Sequence, residues 1–520
     1  MTTPSTNPIP VIDLFAGPGG LSEGFASFNQ PQPRFHVCLS IEKDEFAHQT
    51  LQLRAFYRQF PRNHVPKAYY DFLRSSISRT QLFDAHPDVA ERATREAYHA
   101  ELGETSAQEI DSHLSSALAG RQTWVLIGGP PCQAYSLVGR SRNKGNKTYV
   151  PAKDARHFLY REYLRIIAEH YPPIFVMENV KGILSARVND EPIFQQILRD
   201  LKTPYLALPQ NDTLRCYRYN IYSFVKPVTA GLFDDSILHP TDYIIKSERY
   251  GVPQARHRVI LLGVRDDCNG MQIPSLQARP ECTVKAAIDD LPRLRSGLSR
   301  EDSPQAWKEE LLAIARASWL NQLDPAISRR IISMLDKVRL PRKQRGAEFL
   351  EHTRTPSALR KWYHDRYLNG VCNHTTRGHI PGDLHRYFYA ACYAREKGVS
   401  PSLADFPEAL LPAHNNAREA IENGSLFSDR FRVQLPDRPS TTVTSHISKD
   451  GHYYIHYDPT QCRSLTVREA ARLQTFPDNY FFCGPRTAQY HQVGNAVPPY
   501  LACQIAEIVW NVLRSHEEKS

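Results

Sequence analysis

The hydrophobic positions of the chain fall into short runs that end in turns, and these runs alternate with stretches of helical spacing. Residues 8–15 (PIPVIDLF) read as a buried strand, the turn Ala16-Gly17-Pro18-Gly19-Gly20 follows at once, and Leu21 to Phe28 has a helical pattern. A second apolar run, His36 to Ile41, ends at Glu42 and completes the opening of a βαβ unit. Further strand-like runs cover Trp124 to Ile127, Ile174 to Met177 and Val259 to Val264, with helical stretches at Tyr160 to His170 and Pro192 to Leu201. This alternation predicts an α/β fold with a mostly parallel sheet covered on both faces.

The rhythm stops after about Arg265. Residues 265–437 carry scattered prolines and helical stretches without βα alternation, which resumes near Ser440, and a helix over Tyr500 to Leu513 closes the chain. Two lobes follow: a sheet domain over 1–264 that the chain rejoins over 438–520, and an inserted lobe over 265–437. The irregular segment 54–122, with a helical pattern from Asp88 to Leu102, reads as an elaboration of the sheet domain.

Composition narrows the picture modestly. The chain has 520 residues, 41% hydrophobic and 23% charged, which is ordinary for a globular protein with a large core. Its net charge of +9 leans toward a polyanionic partner without requiring one. There is no signal-peptide pattern and no run of apolar residues long enough to span a membrane, so no membrane partner is expected. The ten cysteines are scattered without a CxxC pair, which suits a reducing cytoplasm. Cys372, His374 and His379 are the nearest approach to a metal cluster. They lack a fourth ligand and zinc-like spacing, so they read as polar loop chemistry and no metal is expected.

The turns carry the candidate chemistry. Gly17-Pro18-Gly19-Gly20 departs from the GxGxxG of dinucleotide folds, yet Glu42, closing the second strand, is placed to accept hydrogen bonds from a ribose diol. Together they point to an adenosine-bearing ligand at the switch point of the sheet. The glycine turn alone fits a tight strand–helix connection equally well. Ile127-Gly128-Gly129-Pro130-Pro131-Cys132 presents a thiol after a proline-stiffened loop, a candidate nucleophile whose bland alternative is a small buried hydrophobe. Glu178 and Asn179 end another strand. With a period of two, Gln254, Arg256 and Arg258 share one strand face, suited to phosphates, a polarised carbonyl or exposed ion pairs.

Six motifs occur in a fixed order: DLFAGPGG (13–20), GGPPCQAYS (128–136), ENV (178–180), QARHR (254–258), RPSTTVTS (438–445) and GNAVPP (494–499). In this set and order the chain resembles the DNA (cytosine-5-)-methyltransferase family. The resemblance implies a Rossmann-like S-adenosylmethionine-dependent methyltransferase sheet with an inserted target-recognition lobe. It also implies transfer of a methyl group from S-adenosylmethionine to carbon 5 of cytosine in a specific duplex DNA sequence, with the target base turned out of the helix. On this reading the thiolate of Cys132 adds to carbon 6 of the base and Glu178 binds N3 and the exocyclic amine. Arg256 and Arg258 contact the base carbonyl and neighbouring backbone, while Gln254 and Asn179 hold the site in shape. Phe15, Gly17, Gly19, Gly20 and Leu21 line the donor pocket, Glu42 takes the ribose, and Asn495 returns from the far end of the chain to close it.

The loop from Gln133 to Pro151, with Arg140, Arg142, Lys144 and Lys147, suits a basic flap that closes over DNA. The family's acidic adenine contact has no clear position, Glu104 and Asp111 both being candidates. Within the inserted lobe, residues 337–379 hold ten Lys or Arg against three Asp or Glu. There Trp362, Tyr363 and Tyr367 are interleaved with Arg360, Lys361 and Arg366, a composition that suits DNA contact. The expected setting is a monomer in the cytoplasm at the nucleoid, in prokaryotic restriction–modification or phage defence, with a cognate restriction endonuclease or other defence proteins as partners. Three rival readings are the same chemistry on tRNA, a catalytically inactive binding relative and a small-molecule methyltransferase.

Overall fold

The computed structural model describes residues 7–28, 32–61, 63–131, 156–188, 191–208, 215–227, 238–268, 273–412 and 429–517. One sheet organises the first half of the chain. Its strands are β1 (Ile9–Leu14), β2 (Phe35–Glu42), β3 (Ala97–His99), β4 (Val125–Gly128), β5 (Ile174–Val180), β6 (Tyr219–Ser223), β7 (Ile244–Lys246) and β8 (His257–Arg265). The spatial order is β3-β2-β1-β4-β5-β8-β6, with β7 also on β8. The first five strands pair in parallel, whereas β8 runs antiparallel to β5, β6 and β7. The strand order turns back between β1 and β4, so a crevice opens beyond their carboxyl ends.

Period-two alternation buries both faces. Val11, Val37, Ile127 and Val176 share a core with α1 (Gly20–Ser27), while Ile12, Leu39, Leu126 and Phe175 point into a core on the opposite face. Between β2 and β4 lie α2 (Glu45–Arg58), α3 (Lys67–Leu73), α4 (Arg79–Asp84), α5 (Pro87–Glu96) and α6 (Ala107–Leu118). The helix expected over Asp88 to Leu102 ends at Glu96, because Ala97–His99 pairs with Ser40–Glu42 and adds an edge strand. Helices α7 (Arg156–His170) and α8 (Ile193–Lys202) cover the second face.

The inserted lobe is largely helical, with α9 (Pro304–Ala313), α10 (Pro325–Leu335) and α11 (Pro381–Lys397) packed through Trp307, Ile331, Leu384 and Phe388. A hairpin of β9 (Gly346–Glu351) and β10 (Gly370–Thr375) joins α12 (Val467–Leu473) and α13 (Arg486–Asn495) in a second core. The lobe therefore extends past the boundary expected at 437: Val443, Leu465, Leu473, Tyr490 and Val493 share this core with Val284, Leu350 and Val371. Only at Val497, and then along α14 (Pro499–Glu517), do side chains rejoin the core of the sheet. Motif order misses this because RPSTTVTS touches both lobes: Ser440–Thr441 pairs with Gln254–Ala255 while Val443 faces the lobe. No helix among the described residues is long and apolar enough to cross a membrane.

The first and last helices meet at glycines. A Cβ on Gly20 would lie 2.2 Å from the Val497 carbonyl oxygen, and one on Gly24 would lie 2.3 Å from the Ala502 Cβ. Gly24→Ala should therefore lower stability by about 1–3 kcal/mol through overpacking. The check is a urea titration, in which the midpoint falls while the slope stays as in the wild type.

Candidate active site

The crevice holds a cavity of about 490 Å³. Its walls include Phe15, Gly17, Gly20, Leu21, Glu42 and Asn495 on one side and Pro130, Pro131, Glu178 and Asn179 on the other. Residues separated by most of the chain thus share one open-mouthed space, of a size that suits a cofactor-sized ligand.

The glycine turn is held in an unusual backbone conformation, with φ of 56° at Phe15, 56° at Gly17 and 87° at Gly19. A left-handed phenylalanine is uncommon, and such strain collects where a turn is over-determined by its surroundings. Here the Gly17 N–H donates to Glu42 Oε2 at 2.7 Å and the Asp44 N–H to Glu42 Oε1 at 2.8 Å. Burial pushes the Glu42 carboxyl up in pKa, and these two backbone donors oppose the shift. Glu42 therefore both fixes the turn and presents a carboxylate at the cavity wall. Gly19 lies behind the wall: a Cβ there would sit 2.8 Å from Leu51 and 3.0 Å from the Tyr480 hydroxyl.

On the opposite side, β5 delivers Glu178 beside Arg258, whose Nε donates to Glu178 Oε1 at 2.8 Å. A Cβ on Gly129 would fall 2.9 Å from Glu178 Oε2, so the glycine leaves room for the carboxylate. Asn179 Nδ2 donates to the Pro130 carbonyl at 3.2 Å and pins the proline pair. Cys132 and the expected flap, Gln133 to Pro151, lie outside the described residues.

The shared face of Gln254, Arg256 and Arg258 divides in two. Arg258 reaches Glu178, but Arg256 is only 1% exposed and donates to the Val443 carbonyl at 2.7 Å and the Gly494 carbonyl at 3.1 Å. The structure does not bring Arg256 into the cavity; burial and the neighbouring Arg258 push its pKa well down. Gln254 donates to Gln474 Oε1 at 2.6 Å and accepts from the Val443 N–H at 2.8 Å, also inside the joint between the lobes. A strand pattern reports which side chains share a face, not that the face becomes covered.

Neither candidate for the adenine contact lines the cavity. Ala100 and Leu102, just past β3, do so, while Glu104 is exposed on the following turn. Asp111 accepts from Arg165 Nη1 at 2.8 and 2.9 Å and contacts His170 Nε2 at 2.8 Å. Asp111, Glu169 and His170 lie close enough together to suggest a metal site, but Arg165 already occupies the centre of that group. Cys372 and His374 lie in strand β10 rather than a loop. His374 contacts Thr466 Oγ1 at 2.8 Å and the Pro292 carbonyl at 2.9 Å, and burial pushes its pKa down to about 4.

The aromatic–basic stretch divides: Arg360, Lys361, Arg366 and Tyr367 are exposed, whereas Trp362 and Tyr363 turn inward. Tyr363 is fully buried and donates to the Arg472 carbonyl at 2.7 Å, and Trp362 Nε1 donates to the Thr475 carbonyl at 2.7 Å. Tyr70 of α3 donates to Asp365 at 2.9 Å and Arg74 to the Tyr367 carbonyl at 2.7 Å. Trp362 and Tyr363 thus pack within the lobe, while Tyr70 and Arg74 tie this stretch to the elaboration of the sheet domain. Composition had suggested a free surface, and it cannot distinguish an internal joint from a DNA-facing one.

Asp13 is the site residue to which the sequence assigned no role, although it opens the first motif. It is 1% exposed, lines the cavity, and neither carboxyl oxygen has a hydrogen-bond partner among the described residues. Burial pushes its pKa up to about 7, although nearby Ser22 and Arg58 favour the ionised form. Because the folded value lies above the unfolded one, the stability this group provides is complete below about pH 4 and is lost as pH rises through about 7. Asp13→Asn should therefore stabilise the ligand-free protein at pH 8, by on the order of 2–4 kcal/mol, with the gain shrinking toward pH 4. Urea midpoints of both proteins across that range check this, and a constant gap would contradict it.

Comparison with known proteins agrees with this geometry. The family model described as C-5 cytosine-specific DNA methylase matches residues 90–204 and 239–510. The chain is 34% identical to the Type II methyltransferase M.Bpa9945I of Bacillus paralicheniformis, over 97% of this chain and 99% of the relative. It is 26% identical to the DNA (cytosine-5-)-methyltransferase M.ApeKI of Aeropyrum pernix, over 96% of this chain and 98% of that protein. Among solved structures, a prophage-encoded DNA modification methyltransferase (E. coli) shares the fold at a TM-score of 0.50 and 20% identity, over 97% of this chain and 99% of the other. The chain belongs to the C-5 cytosine-specific DNA methylase family.

Proposed function

We propose that the cavity at the carboxyl ends of β1, β2, β4 and β5 is where the methyl donor and the target cytosine meet. By family the chain is a DNA (cytosine-5-)-methyltransferase, EC 2.1.1.37, and S-adenosylmethionine is the donor. The observation that carries the residue-level reading is the shared wall: Glu42 and the glycine turn face the same space as Glu178 and the Pro130-Pro131 approach to Cys132. The residues fit the donor on two counts. Glu42 offers a carboxylate to a diol, and Asp13 offers an unpaired buried carboxyl to a ligand that carries positive charge. Once bound, the donor supplies an electrophilic methyl group.

Carbon 5 of cytosine is a weak nucleophile, so the chain must first raise its electron density. The Cys132 thiolate adds to carbon 6, which makes carbon 5 enamine-like, and elimination of the thiol after methyl transfer and loss of the carbon-5 proton restores the ring. Glu178 holds the ring at N3 and the exocyclic amine as charge develops there. Arg258, which does not itself line the cavity, orients that carboxylate from behind. Arg256, enclosed by the Val443 and Gly494 carbonyls, holds the two lobes together at this point. A stacked base hides carbon 6, so the target leaves the duplex to reach the cavity. The type II naming of the relatives supports a modification role in a restriction–modification system.

Bisulfite sequencing of DNA from a methylation-free host expressing the protein should show protected cytosines in one sequence context. Absence of protection, with methyl transfer to tRNA instead, would overturn the DNA reading. Glu178→Gln should lower kcat by about 10²–10⁴-fold with a small change in DNA affinity. Cys132→Ala should abolish transfer while the product S-adenosylhomocysteine still binds, and turnover by that variant would sink the mechanism.

A further inference from the structure

The glycine turn is held by a side chain from the other lobe. Tyr480 is fully buried among Phe476 and Phe482 in the lobe core, yet its hydroxyl donates to the carbonyl of Pro18. The two polar groups of the Pro18–Gly19 peptide are that carbonyl and the Gly19 N–H, and their partners set its orientation. Both ends of this peptide are engaged. The Gly19 N–H donates to the Ala16 carbonyl at 2.9 Å, and the carbonyl end is taken by Tyr480. Flanking glycines at φ of 56° and 87° offer little resistance to rotation of the peptide on their own. Pro18 also lines the cavity.

Tyr480 is itself fixed from two directions. On the lobe side, Arg472 binds Asp478 through two contacts of 2.8 and 2.9 Å and also binds Asp290. From the sheet domain, the Arg54 guanidinium lies 4.8 Å from the centre of the Tyr480 ring, donates to Asn479 Oδ1 at 3.0 Å, and pairs with Glu23 on α1. The corner Asp478-Asn479-Tyr480 is therefore plugged between the lobe and the helix that follows the turn.

We propose that Tyr480 is a positioning residue of the donor site, contributed by the recognition lobe. Its hydroxyl holds the Pro18–Gly19 peptide in the orientation that shapes the donor side of the cavity. The proposal rests on the reading of that cavity as the donor site.

The test is Tyr480→Phe, which removes one oxygen. S-Adenosylhomocysteine binding is measured by calorimetry for the wild type, Tyr480→Phe and Glu42→Ala, alongside steady-state kinetics for the wild type and Tyr480→Phe. For Tyr480→Phe, the product Kd and the donor KM should both rise about tenfold, equivalent to about 1.4 kcal/mol. Its kcat at saturating donor should stay within twofold, and its KM for DNA should not change. If Tyr480 only supports folding, binding stoichiometry and kcat fall while Kd and donor KM stay as in the wild type, and the proposal is overturned. It is also overturned alone if Glu42→Ala weakens binding and Tyr480→Phe does not. Failure of S-adenosylhomocysteine to bind the wild type overturns the donor-site reading and this proposal with it.

Discussion

The molecule depends on a buried joint made by Gln254 and Arg256. The chain leaves the core of the sheet after Leu276 and rejoins it at Val497, so what lies between must be docked by side chains that reach across. Arg256 does so with no carboxylate partner among the described residues, giving its hydrogens to the Val443 and Gly494 carbonyls. A guanidinium whose Nη groups go to main-chain oxygens while its Nε finds no partner among the described residues is expensive to bury, so its position is sharply specified. Gln254 completes the joint by linking Val443 to Gln474, which in turn holds the Val493 and Ala496 carbonyls. The residues that fasten the lobe, Gln254 and Arg256, thus run directly into the strand that carries Arg258 to Glu178. Any shift of the lobe at this point is a shift of the site.

The cavity illustrates how a sheet edge separates two kinds of work. One side is backbone-rich, with left-handed turn residues held by Glu42, while the opposite side is built from side chains at the ends of β4 and β5. Asp13 stands where the two meet, a carboxyl buried without a partner, which is a local disadvantage to folding at neutral pH. Such groups persist at sites where a ligand completes them.

Much of this was legible in the sequence because the strands are short, apolar and end in distinctive turns. The runs ending at Leu14, Ile41, Ile127 and Met177 are all strands, and the residues just beyond them form the cavity. What escaped was set by tertiary pairing. Ala97–His99 continues a helical pattern and becomes a strand only because the edge of β2 is available. Arg256 and Arg258 are two residues apart, yet one is sealed by the lobe while the other faces a carboxylate. Trp362 and Tyr363 have the composition of a nucleic-acid surface and the contacts of an internal seam, a difference that lies in Thr475 and Arg472 more than a hundred residues away.

The shared core of the lobe bears on how target specificity can be exchanged among relatives. Residues 443–496 are packed with 282–371, so a recombination point near 437 would cut through one hydrophobic core and separate Arg472 from Asp290. A unit that leaves both cores whole runs instead from beyond Leu276 to just before Val497, and it includes Tyr480 and Asn495 on its cavity side. Moving such a unit would therefore also move Asn495 from the cavity wall and Tyr480 from the Pro18 carbonyl. Across any such junction the Pro18 turn and the Tyr480 corner have to fit one another as a matched pair.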